Sequence, residues 1–308
     1  GEAPVQGPDE IAYFGQPVAL VVADTFEQAR HGAQTLRLKL EARFGAVVDP
    51  DDPRTEWETP EAKQASKGDL DEAMVDAAFR VDEIYTTPPH VSAAMEPHGA
   101  VAQWDGDELT LTGSYQMLRY NRAELADALG IDKANVRILA PFVGGGFGSK
   151  LGIAPEAVAA AIASKQLGLP VAVPMSRQQV FESIMRRSET RQRVRLAADA
   201  DGRLTGIGHE AWVSNLPGEK FSEPVTQATP FLYAGQNRLI GHNIARVHRT
   251  CAGSVRAPGE AVGLTVMEIA MDELAVAAGI DPVELRLRNI PDQDPTEGRP
   301  FSSHKLAE

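Results

Sequence analysis

The ten residues PFVGGGFGSK, Pro141 to Lys150, constrain this chain more than any other stretch. Four glycines occupy five consecutive positions, 144–148. Glycine lets the backbone visit positive φ and approach a neighbour or ligand closely. The preceding VRILAPF reads as a strand, and the following EAVAAAIASKQLG reads as a helix with Pro155 near its first turn and Gly168 at its end. A strand, a glycine loop and a helix in succession present unpaired backbone N–H groups as a nest for anionic oxygen. The same glycines suit a tight turn with closely packed backbone. Two familiar phosphate motifs are absent. A P-loop needs Lys directly after its last glycine and Ser or Thr after that, but here Ser149 separates Gly148 from Lys150 and Leu151 follows. A dinucleotide fingerprint needs a glycine at the position held by Ser149.

The remaining sequence narrows the class of protein. At 308 residues the chain can bury the cores of two domains. Its net charge of −13 argues against a nucleic-acid or anionic-membrane partner. No run of about 18 apolar residues appears, as a membrane-spanning helix would require, and the polar, acidic start GEAPVQGPDE is unlike a signal peptide. Localisation is left open between cytoplasm and periplasm. A lone cysteine, Cys251, excludes an internal disulfide and an all-cysteine metal site; it reads as a small core residue. His90 and His98 suggest a metal pair, but no third ligand stands at useful spacing. Glu96 is tempting as a catalytic acid, yet Pro97 beside it favours a turn.

Two structural regions are expected. IAYFGQPVALVVAD reads as a strand ending near Asp24, Thr25 as the cap of a helix through EQARHGAQTL with Gln28 as capping partner, and LRLKLEA as a second strand. Residues 48–68 are polar, contain three prolines and lack periodicity, so they read as a linker. From Asp69 onward, strands are expected in AAFRVDEIYTTP, in a hairpin turning at Asp105-Gly106, and in a second hairpin around Asp201-Gly202. A short helix ends at Gly130 and a long one, AVGLTVMEIAMDELAVAAG, ends at Gly279. This mixture of hairpins and helices predicts an α+β fold.

With these residues in view, VGGGFGSK resembles the molybdopterin-binding loop of the xanthine oxidase family of molybdenum hydroxylases. FGQPVALVVADTFEQAR is similar to the end of that family's small α/β hammerhead domain. HVSAAMEPHGAVAQW resembles the M-E-P segment opening its first molybdopterin-binding domain. GSYQM places Gln116 where the family has a glutamine beside the metal, and SVRAPGEAVGLTVMEIAMDELA resembles its R-x-x-G segment and following helix. The matches fall in the family's order over nearly the whole chain, and they look closest to bacterial aldehyde oxidoreductase large subunits. The resemblance implies the C-terminal part of a hammerhead domain over 1–47, the linker, and an incomplete first molybdopterin-binding domain over 69–308, with the second absent. The chain therefore reads as a fragment.

The resemblance also implies roles. Gln116 would approach the metal's oxygen ligand through its amide. Gly145 and Gly146 would let the loop close on the pterin or its phosphates. Phe147 and Gly148 would lie at the cofactor, with Gly148 offering a backbone N–H, and Arg256 would stand beside the metal. None of these ligates the metal directly. The implied reaction is hydroxylation of an aldehyde or aromatic heterocycle with water as oxygen source. Electrons leave through Fe–S centres to FAD on partner subunits. The implied cofactor is molybdopterin with molybdenum, in bacteria commonly as the cytosine dinucleotide. The family's base, a glutamate in a late glycine-rich segment, is not found here, so no catalytic residue is expected in the chain and the chain alone is expected to be inactive. Leu151 and Gly152 follow Lys150 where xanthine-type members carry a substrate-binding glutamate, which disfavours purines. The alternative is a non-catalytic binding or subunit-assembly module that uses the glycine loop for an anionic ligand. An unrelated hydrolase would need a G-x-S-x-G elbow, which is missing.

Overall fold

A computed structural model describes residues 10–41 and 45–308. The chain forms two compact units, each assembled from separated stretches. The first takes residues up to Val48, Val91–Arg186 and His248–Val255, and the second takes Asp49–His90, Arg187–Val247 and the residues from Arg256 onward. Strand and helix patterns identify elements without revealing which sheet each element joins.

The first unit is built on a four-stranded sheet in the order Val136–Leu139, Glu108–Gly113, Gly99–Asp105, Val171–Pro174. Val136–Leu139 runs parallel to Glu108–Gly113, and the other pairs are antiparallel. The hairpin turns at Gly106-Asp107, one residue later than expected, because Asp105 pairs with Glu108. Helix Leu118–Leu129 ends at Gly130 in the left-handed conformation. Helix Pro155–Leu167 has its proline in the first turn and Gly168 at its end, as the sequence predicts. Its residues Ala157, Ala160 and Ala161 are completely buried, and these small side chains bring the helix backbone down onto the sheet. Trp104 Nε1 reaches that backbone, donating to the Ala161 carbonyl at 2.9 Å. Leu109, Leu111 and Leu125 fill the core between them.

At the start of this unit, helix Phe26–Thr35 forms with Thr25 Oγ1 accepting from Gln28 N at 3.3 Å. The two strands expected around it are not assigned among the described residues, and part of LRLKLEA lies outside them. Alternation of apolar residues identifies a face, whereas a strand also needs a second backbone to take its N–H and C=O groups.

The second unit holds a six-stranded sheet. Strands Phe79–Thr87, Thr190–Ala198, Leu204–Asn215 and Asn237–Arg246 follow in that order, and Glu56–Glu58 and Ala65–Lys67 both pair with the last. These two short strands replace the linker expected over 48–68. Every residue in them is exposed, so the stretch carries no apolar period, and its backbone alone joins the sheet. Helix Glu260–Ala278 packs Met267, Met271 and Leu274 against Val194, Leu196 and Ile207.

Two histidines are buried in this sheet. The side-chain Oε1 of Gln192 accepts from His209 Nε2 at 3.0 Å, which leaves Nδ1 to accept from the Thr229 hydroxyl at 2.7 Å. His242 Nε2 meets Ser222 Oγ at 3.0 Å. Burial lowers both imidazoles from 6.5 to about 4. In the unfolded chain they bind protons below about 6.5, so the stability they hold at neutral pH is lost as pH falls from 6.5 toward 4. Calorimetry is expected to show the second unit melting at progressively lower temperature across that window. His209→Gln is expected to flatten the slope; an unchanged slope would contradict the assignment.

Candidate functional site

The glycine loop lies wholly in the first unit, and neighbours explain every second glycine in it. An added Cβ would overlap the Glu96 side chain at Gly144, the Gln116 amide at Gly146 and the Ser254 carbonyl at Gly148. Gly145 and Gly148 also hold φ of +99° and +101°. Phe147, a non-glycine, sits at φ +52°, a conformation that side-chain-bearing residues adopt only when the surroundings hold them there. The loop is therefore a packed turn, and it is also a cradle of donors. Among the described residues, the N–H groups of Gly145, Gly146 and Phe147 have no hydrogen-bond partner.

Gln116 joins the loop from the turn after strand Glu108–Gly113. Its backbone N–H donates to the Lys150 carbonyl at 2.8 Å. Its Oε1 accepts from Gly148 N at 3.0 Å and from Lys150 N at 3.2 Å. The Gly148 N–H, expected to serve a ligand oxygen, is therefore occupied within the loop. Gln116 Nε2 has no partner among the described residues, and the side chain is exposed. The loop's exit is tied by helix Leu118–Leu129, where Asn121 Nδ2 donates to the Leu151 carbonyl at 2.7 Å and Glu124 accepts from Ile153 N at 2.9 Å.

Beneath the loop lies an ion pair, buried at its lysine end, that the sequence did not announce. The Lys150 side chain is 0% exposed and pairs with Glu96 at 2.8 Å. Glu96 Oε2 also accepts from Gly144 N at 2.7 Å. Burial pushes the Glu96 carboxyl up, but hydrogen bonds from Lys150, Ser114 and Gly144 outweigh it and hold the group at about 2. Glu96 is thus an ionised brace. His98 is buried too, with Nε2 donating to the Ser149 carbonyl at 3.0 Å. Desolvation lowers it, so it stays neutral. Burial pushes Glu156 up to about 7, and its Oε2 lacks a partner. Lys150 closes the glycine motif but carried no role in it, Glu156 carried no motif, and Glu96 is 54 positions from Lys150, a separation no local pattern can bridge.

Arg256 belongs to the second unit. Its side chain is exposed, and its carbonyl accepts from Arg187 Nη2. No group of three or more His, Cys, Asp or Glu able to hold a metal occurs among the described residues. His90 and His98 form no such centre. Cys251 is half-buried, and its carbonyl accepts from Arg186 N at 3.1 Å. No described helix is long and apolar enough to cross a membrane.

These geometries separate two glycines. At Gly168, φ is +66° with open space around it, so Gly168→Ala is expected to cost only about 1 kcal/mol. At Gly148 the same substitution adds backbone overlap to the strain and is expected to cost at least about 3 kcal/mol. Urea unfolding of the two variants checks the difference; equal losses would mean that the contact with Ser254 is slack.

Comparison with known proteins agrees with this geometry. A family model for the molybdopterin cofactor-binding domain matches residues 52–290. The chain is 42% identical over 304 residues to the aldehyde oxidoreductase molybdenum-binding subunit PaoC of Escherichia coli K12, covering 98% of this chain and 41% of that one. It is 30% identical to the nicotine 6-hydroxylase large subunit of Paenarthrobacter nicotinovorans, over 93% of this chain and 37% of the relative. The chain thus spans about two fifths of the length of these relatives. The aldehyde oxidoreductase structure from Desulfovibrio gigas shares the fold with a TM-score of 0.80 at 23% identity, over 92% of this chain and 33% of that one. The α+β architecture, the glycine cradle and the match over 52–290 converge, and the chain belongs to the molybdopterin cofactor-binding domain family, that of the molybdenum-binding subunits of aldehyde oxidoreductases and xanthine dehydrogenases.

Proposed function

We propose that this chain forms part of the large subunit of a molybdenum hydroxylase that oxidises aldehydes or aromatic heterocycles with water as oxygen source. The observation that carries the reading is the run of N–H groups at Gly145, Gly146 and Phe147 that have no partner among the described residues, together with the unpartnered Nε2 of Gln116. Such donors fit the anionic oxygens of a pterin phosphate or of the metal's own ligands. When bound, the molybdenum cofactor supplies the two-electron chemistry.

The chain's own residues bind and orient. Gln116 Oε1 is fixed by Gly148 and Lys150, which turns Nε2 outward as a fixed donor. A fixed donor loses little on reorganising when charge develops beside it. Arg256 offers a free planar guanidinium for an anionic group. Leu151, directly after the loop, presents an apolar surface in place of a carboxylate, which suits an uncharged or aromatic substrate. Similarity to proteins named for aldehydes and for nicotine supports the same class. We assign no residue of this chain as the proton-abstracting base. The cofactor is proposed to be the cytosine dinucleotide form, and Fe–S and FAD subunits are the proposed electron partners. The hammerhead boundary is proposed to fall near residue 47.

The first test is metal and nucleotide analysis of the full-length protein purified with its partner subunits. About one molybdenum per chain with released cytidine nucleotide is expected; a folded complex without molybdenum would refute the reading. In that complex, Gln116→Glu keeps oxygens for the Gly148 and Lys150 N–H groups but removes the outward donor. It is expected to lower kcat by about 100-fold with the melting temperature nearly unchanged. Wild-type kcat would show that Nε2 has no role.

A further inference from the structure

Lys150 takes no part in the donor set described above, yet it is the most deeply enclosed charge in the first unit. All three of its ammonium protons have acceptors: the Glu96 carbonyl at 3.1 Å, Glu96 Oε2 at 2.8 Å and Ser114 Oγ at 3.1 Å. Glu96 in turn grips Gly144 from both sides. Its Oε2 accepts from Gly144 N at 2.7 Å, and its N–H donates to the Gly144 carbonyl at 3.1 Å. The two ends of the glycine loop, Gly144 and Lys150, are thereby bonded to one residue outside it. Between them, Gln116 Oε1 takes the N–H groups of Gly148 and Lys150. What this closure leaves over is the run of free donors at Gly145, Gly146 and Phe147.

We propose that Lys150 and Glu96 are positioning residues that latch the glycine loop in the shape that presents those donors, so that the latch sets how well the cofactor is held. The inference rests on reading the loop as a molybdopterin cradle. Burying the lysine end of this pair is a poor way to gain stability, since an apolar side chain of similar volume often serves as well. Its advantage is direction. An ammonium with three placed acceptors fixes the separation and orientation of both strands of the loop, which a methionine in the same space would not do. The backbone also needs such a hold, because Gly145, Phe147 and Gly148 sit at positive φ in sequence.

The test uses the full-length protein with its partner subunits and compares Lys150→Met, Glu96→Gln and a core control in the same unit, Leu109→Ala. Two quantities are read: hydrogen exchange at the Gly144, Gly148 and Lys150 amides, and molybdenum per folded chain. Lys150→Met is expected to speed exchange at the three amides at least tenfold and to lower molybdenum at least fivefold. Glu96→Gln, which keeps an acceptor for Gly144, is expected to fall between it and wild type. Leu109→Ala is expected to lower the melting temperature without either change. If Lys150→Met does not fold, Glu96→Gln carries the comparison with Leu109→Ala. Exchange and loading like wild type in the latch variants, or equal loss in the control, overturn the latch. A wild-type complex that lacks molybdenum overturns the cradle reading and the latch's role in loading with it.

Discussion

The geometry of the candidate site depends on one buried ammonium. A lone lysine charge removed from water would cost several kcal/mol, and at Lys150 the Glu96 and Ser114 oxygens meet every proton of the ammonium. That requirement reaches outward. Glu96 must approach the loop closely enough to serve Lys150, and Gly144 must lack a Cβ for it to do so. With Glu96 held at about 2 and its ordinary value at 4.5, the pair's contribution is present above pH 4.5 and fades only as pH falls toward 2. Across ordinary pH the latch is fixed, and the exposed part of the carboxylate is screened by solvent.

The second unit uses the same device around a different strained backbone. Arg187 and Glu223 form a buried pair at 2.5 Å. Glu223 Oε1 accepts from Gly259 N at 2.6 Å, and the Arg187 guanidinium donates to the carbonyls of Arg256 and Ala257. Ala257 and Gly259 hold φ of +53° and +79°. An ion pair with bonds left over for backbone carbonyls and amides thus pins a tight segment and leaves one side chain, Arg256, exposed at its edge. In both units charge serves to fix backbone where propensity would not.

What the sequence made legible follows from how local each interaction is. Gly130, Gly168 and Gly279 end their helices in left-handed conformations because a helix end is a matter of neighbouring residues. The hairpin at Gly202 is local in the same way. The strands at 56–58 and 65–67 were not legible, since their side chains are exposed and only backbone pairing makes them strands. The stretch after helix Phe26–Thr35 shows the reverse case, where apolar alternation is present but no strand is assigned among the described residues. At the site, the glycines and Gln116 stood out by type and order. Lys150 did not, because its role is defined by a carboxylate 54 positions away.

That difference bears on how a glycine-rich loop should be read. Tight packing and an anion nest look like competing explanations of PFVGGGFGSK, but here each needs the other. Glu96, Gln116 and Ser254 occupy the places where side chains at 144, 146 and 148 would stand, and the bonds made from those places use up the N–H groups of Gly144, Gly148 and Lys150. The donors at Gly145, Gly146 and Phe147 remain free because the chain turns through positive φ between two pinned ends. A looser loop with the same glycines could pair those amides with its own carbonyls, since backbone N–H groups are obligatory hydrogen-bonding groups. The nest therefore exists only while the packing holds, and a residue that never faces the ligand can decide whether the ligand finds donors at all.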